Sequence, residues 1–135
     1  MTVVTVNYTF EAPASVGWPV ISDFGGLEKL VRRIKSFRTE GEGLGIQRYI
    51  DMGDGDIVER LTWLDDATIT FSFTMLTSPL PISRHVSTVR LVSHRSVTDV
   101  EWRSSFVAPG ADERDAIDSV EAGHGIRSVK RAIGA

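Results

Sequence analysis

The chain contains no cysteine. Disulfide frameworks, thiolate metal sites and cysteine nucleophiles are therefore excluded. No apolar run approaches the roughly 18 residues of a membrane-spanning helix. Met1-Thr2-Val3-Val4 lacks the basic stretch and apolar core of a secretory signal, so a cytoplasmic protein is expected. Positive charge is not in excess: 15 basic against 18 acidic side chains leave a net charge of −3. That argues against nucleic-acid binding through bulk charge. Gly41-Glu42-Gly43-Leu44-Gly45 is followed by neither a helix nor a lysine, so it is no phosphate loop. No serine sits in a Gly-x-Ser-x-Gly turn. The three histidines, His85, His94 and His124, lack metal-ligand spacing. Nothing in the sequence requires a metal or other cofactor.

What is present is an ordinary globular composition. The chain has 135 residues, 41% of them hydrophobic and 24% charged. That is about one domain's worth, able to bury roughly two thirds of its unfolded surface without a staple. The expectation is one domain over residues 1–135, as a monomer or homodimer.

Hydrophobic alternation dominates the pattern. Val4, Val6, Tyr8 and Phe10 alternate with Thr5, Asn7 and Thr9, which predicts a half-buried strand. Pro13 and Ser15 open a short helix over 14–22, with Pro19 expected in its first turn, where proline is tolerated. Gly25-Gly26 breaks it. Leu27, Leu30, Val31 and Ile34 predict a second short helix. Strands follow at 36–40, 45–52, 56–64, 68–76, 83–92 and 97–107, separated by turn signals such as Gly53-Asp54-Gly55-Asp56. Asp112 or Asp115 then caps a helix reaching about Ile133. Consecutive strands joined by hairpins make an antiparallel sheet, so the fold class is α+β, with the sheet curled around the last helix.

Period-two bookkeeping selects the inward side chains. Phe71, Phe73 and Met75 share one face. Ile57, Leu61 and Trp63 carry Glu59 with them, and Ile50 carries Arg48. Val100, Trp102 and Phe106 carry Ser104. Val89 and Leu91 carry Ser83, His85 and Ser87. An unpartnered buried ion costs several kcal/mol or shifts its pKa, so Arg48, Glu59 and His85 are expected to meet each other, water or a ligand. Each has a structural alternative: an ion pair bracing two strands for Arg48 and Glu59, a histidine satisfied by a serine hydroxyl for His85. Read from the residues alone, Lys35 is a solvated lysine at the strand edge. On the last helix, Ile117, Val120 and His124 are spaced for one face.

The stretch Glu59-Arg60-Leu61-Thr62-Trp63-Leu64-Asp65-Asp66 resembles a strand-turn of the START-like, helix-grip superfamily, in its polyketide cyclase/dehydrase-like group. Val20 to Leu27 is similar to the segment linking the two short helices of bacterial members. Leu80-Pro81, Val86–Leu91 and Val100-Glu101-Trp102 fit their usual places. The resemblance implies a helix-grip fold. In it, about seven antiparallel strands wrap a long C-terminal helix, with two short helices after the first strand. It also implies a cavity for a small apolar or polyketide-like ligand, lined by the inward set above together with Leu80, Ile117, Val120 and His124. Lys35, Glu59 and His85 match polar, ligand-facing positions of the related plant abscisic-acid receptors. The gate and latch of those receptors are replaced here by Gly53-Asp54-Gly55-Asp56 and Pro79-Leu80-Pro81-Ile82. The expected activity is cyclisation, dehydration or isomerisation by acid–base catalysis through His85, Glu59 and Lys35. A non-catalytic carrier or sensor of an apolar molecule or lipid is the alternative.

Overall fold

The computed structural model describes residues 1–30, 34–53, 55–110, 113–122 and 133–134, with the side chains of these except 29–30 and 119–122. Strand β1 (Thr2–Phe10) leads to helix α1 (Ala14–Ile21), a 3-10 turn (Phe24–Gly26) and helix α2 (Leu27–Leu30). Six strands follow: β2 (Ser36–Glu40), β3 (Gln47–Asp51), β4 (Asp56–Asp65), β5 (Thr70–Thr77), β6 (Ser83–His94) and β7 (Val97–Val107). Helix α3 (Glu113–Ala122) comes after them. Among the described residues the strands form one sheet in the order β1-β7-β6-β5-β4-β3-β2, antiparallel throughout. Hairpins make β2 to β7 neighbours in sequence order, and β1 closes the series against the last strand. The expected continuation of the C-terminal helix, with His124, lies outside the described residues.

Alternation places one row of side chains from β1 and from β4 to β7 on the concave face. Tyr8, Phe10, Leu61, Phe71, Phe73, Val89, Leu91 and Val100 form the main core, which Trp18 and Phe24 cover from the helical segment. Ile133 packs on this core, and Ile117 of α3 packs on a second cluster of Val4, Phe106 and Ala116. Helix α1 seats closely because residue 17 is glycine: a Cβ there would collide with the Phe10 ring. The Trp18 indole N–H donates to Asp66 Oδ1 at 2.8 Å, tying α1 to the β4–β5 turn. At the β3–β4 turn Gly53 takes φ +101°, a conformation that favours glycine.

Three expectations fail here, each for a local reason. Trp63 is 52% exposed rather than inward. A register shift between Leu61 and Trp63 inserts an extra β4 residue opposite β5, so Leu61 pairs with Phe73, Trp63 with Ser72, and Leu64 with Phe71. A bulge of this kind reverses side-chain parity, and Leu64 takes the inward place. Ser83 is also exposed. The β6–β7 register shifts between Ser83 and Val86, where Arg84 adopts φ +52°. Pro19 lies inside α1 rather than in its first turn. It withholds a helical donor from the Ser15 carbonyl, but both residues are exposed and water can serve. The helix stops soon after, with the Ser22 N–H and hydroxyl both on Trp18 O.

Candidate functional site

A row of buried polar side chains crosses the concave face from β3 to β7. Arg48 and Glu59 are direct cross-strand partners, and Glu59 stands opposite Met75. Arg48 Nε and Nη2 both reach Glu59 Oε1, at 2.8 and 2.7 Å. Arg48 Nη1 donates to the Phe24 carbonyl at 3.2 Å. The guanidinium carbon lies 3.8 Å from the Phe24 ring centroid and 5.2 Å from that of Phe73, a cation–π placement that favours a desolvated arginine. The buried charge is thus matched by a carboxylate and two rings.

His85 continues the row. The Met75 backbone N–H donates to His85 Nδ1 at 3.0 Å. His85 Nε2 lies 2.8 Å from Ser87 Oγ, which lies 2.6 Å from Ser104 Oγ. A ring whose Nδ1 accepts an amide hydrogen carries its own hydrogen on Nε2 when neutral. His85 is 3% exposed. That burial lowers its pKa from 6.5, against a smaller upward pull from Glu59, so the neutral ring is the form held at neutral pH. The β5–β6 ladder has ended at the Phe73–Ser87 pair, and the His85 side chain takes over as acceptor for the next β5 amide.

Aromatic rings wall the row. Phe73 is the hub, with ring centroids 5.7 Å from Phe24, 6.2 Å from Phe71, 5.7 Å from His85 and 6.1 Å, edge-on, from Trp102. The structure therefore brings together Arg48, Glu59, His85, Ser87, Ser104, Ile50, Leu61, Phe71 and Phe73 as buried residues. Ile57, Met75, Leu80, Trp102 and Ile117 are half-buried. Lys35 does not join the buried row. It is exposed, with its Cε and Nζ beside Gly53, while its main-chain N–H bonds Asp51 O. The Val120 side chain lies outside the described ones. Phe24 belongs to the site and was not anticipated. The sequence offers only a lone aromatic before Gly25-Gly26, and its contact with Arg48 depends on how the helical segment folds back.

A hollow of about 160 Å³ opens at the β2–β3 end, lined in part by Ser36, Arg38, Tyr49, Ile50 and Asp51. It includes no member of the polar row. Among the described residues no group of three histidine or acidic side chains is placed to hold a metal. No described helix is long and apolar enough to cross a membrane.

The family model described as polyketide cyclase/dehydrase and lipid transport matches residues 1–133. The chain belongs to this family. Solved structures share its fold at low identity. A Thermobifida fusca protein solved by solution NMR superposes with a TM-score of 0.87 at 21% identity, covering 99% of this chain and 94% of its own. The Zhui aromatase/cyclase of Streptomyces sp. R1128 gives 0.77 at 17% identity, covering 98% and 93%. Norcoclaurine synthase of Thalictrum flavum gives 0.82 at 13%, covering 98% and 86%. No curated protein sequence matches the chain. Identities this low establish the helix-grip architecture and leave the activity to be argued from the site.

Proposed function

We propose that this polyketide cyclase/dehydrase family member binds a small, largely apolar molecule against the concave face and promotes its cyclisation, dehydration or isomerisation. The ligand is a polyketide-like conjugated carbonyl compound. The observation that carries the reading is the polar row itself: Arg48, Glu59, His85, Ser87 and Ser104 buried together among Phe24, Phe71, Phe73 and Trp102. An apolar wall with a few convergent polar groups is the ordinary make-up of a small-molecule site.

The roles follow from the bonds. Both Arg48 contacts end on Glu59 Oε1, so Oε2 is the oxygen placed to accept a proton from the carbon beside the ligand's carbonyl. The neutral imidazole of His85, with Nδ1 engaged by Met75 N–H, keeps its proton. It acts as the head of a hydrogen-bond chain toward the developing oxyanion, the kind of fixed donor that stabilises charge in a transition state. Lys35, exposed at the rim, has no part in this step. A second reading, a non-catalytic carrier, is favoured by one observation: both His85 nitrogens are already engaged within the protein.

The test is deuterium exchange into 1-(2-naphthyl)butane-1,3-dione in D2O, followed by proton NMR. The wild type should accelerate exchange over buffer, and Glu59→Gln should return it to the buffer rate. Wild-type exchange at the buffer rate, with the diketone bound, would replace the catalytic reading by the carrier.

A further inference from the structure

The hydrogen-bond chain on the concave face starts in a fixed direction. A main-chain N–H can only donate, so the Met75 amide occupies the lone pair of His85 Nδ1 and the ring hydrogen sits on Nε2. Nε2 then donates to Ser87 Oγ, and one hydroxyl hydrogen of the Ser87–Ser104 pair lies between the two oxygens, from Ser87 to Ser104 when the chain runs on in one direction. The opposite direction needs a hydrogen on Nδ1, aimed at the Met75 amide hydrogen. Two hydroxyl hydrogens share one Ser87–Ser104 bond, so one is left to place, and it is the Ser104 hydrogen when the chain keeps the direction His85 gives it. Ser104 is 1% exposed, and Ser87 is its hydrogen-bond partner among the described residues. A buried donor without an acceptor is unfavourable, and such groups in folded proteins are normally satisfied. Ser104 also stands between the two apolar clusters, two residues from Trp102 on one side and Phe106 on the other.

We propose that the Ser104 hydroxyl is the group that donates to the ligand's oxygen, and that this oxygen belongs to an uncharged acceptor such as a ketone or ester. Ser104 thereby selects for an acceptor at one place on an otherwise apolar molecule. A ligand oxygen that is already ionised on binding is disfavoured because the Arg48 charge is matched by Glu59 and the chain from His85 to Ser104 is neutral. The charge that develops on the oxygen during the reaction is a separate matter, met by the hydroxyl donor. The proposal rests on the reading of the concave face as the ligand site.

The test uses two near-isosteric probes, 2-acetylnaphthalene, which carries the acceptor, and 2-isopropenylnaphthalene, which lacks it. Both are titrated into the wild type and Ser104→Ala by calorimetry. The wild type should prefer the ketone roughly three- to ten-fold, the range of one net hydrogen bond. Ser104→Ala should abolish the preference. A preference that survives in Ser104→Ala, or none in the wild type, overturns the proposal alone. Binding of neither probe overturns it together with the binding reading. Independently of any variant, a long-range proton–nitrogen NMR spectrum of the wild type should show His85 protonated on Nε2. Protonation on Nδ1 would reverse the chain and overturn the proposal.

Discussion

The Arg48–Glu59 pair sets the most informative stability experiment. Replacing Glu59 by leucine leaves the Arg48 guanidinium buried beneath Phe24 and Phe73 with its carboxylate gone. Removing one member of a buried pair costs about 3–5 kcal/mol, because the surviving charge stays desolvated. Arg48→Met alone strands the Glu59 carboxylate and should cost a similar amount. It also takes the donor from the Phe24 carbonyl, adding about 1 kcal/mol. The double variant Arg48→Met/Glu59→Leu removes both charges and fills the space with apolar side chains. Replacements of this type are often neutral or stabilising, so after the Phe24 term a net loss of about 0–2 kcal/mol is expected. If the residues were independent, the single losses would add to about 7–11 kcal/mol. Urea denaturation reports the outcome through the fluorescence of the buried Trp18 and half-buried Trp102. Losses under about 1 kcal/mol for each single variant, or a double variant equal to their sum, would refute the buried-pair account.

Two further predictions concern His85 and Trp63. Burial lowers the His85 pKa below 6.5 in the folded chain, so the unfolded chain binds a proton at higher pH than the folded one. Full stability is therefore present above pH 6.5 and is lost as pH falls from there toward the lowered folded value. His85→Gln should flatten this slope in denaturation curves taken between pH 7.5 and 5.5, and an unchanged slope would contradict the assignment. Trp63→Ala should change stability by about 0.5 kcal/mol or less, as an exposed position does. Trp102→Ala should cost about 3 kcal/mol, because that ring meets Phe73 edge-on. Equal losses would place Trp63 back on the inner face.

Much of the sheet was legible because period-two alternation repeats on strand after strand, with glycine-rich turns between. Parity alone put Arg48 and Glu59 on the same face as Phe73, and the register then made them direct partners. Parity fails where a strand gains a residue. Nothing in Leu61-Thr62-Trp63-Leu64 signals the bulge that exchanges Trp63 for Leu64, and Ser83 is turned outward by the irregular start of β6. The histidine was visible as a buried polar residue, but its partner was not. That Met75 N–H would need a side-chain acceptor depends on where the β5–β6 ladder stops, a three-dimensional fact. Phe24 was missed for the same kind of reason. Its contact with Arg48 is made by a 3-10 turn folding over a sheet formed mostly by later residues.

The central claim is that the concave face, with its polar row, is where a small apolar molecule sits. Amide chemical-shift mapping during a 2-acetylnaphthalene titration tests it directly. The account predicts that Glu59, Met75, Ser87 and Ser104 shift with saturation, while Trp63 and Val86, exposed on the opposite face, stay in place. Shifts confined to that outer face, or to the hollow at Ser36, Arg38 and Asp51, would contradict it.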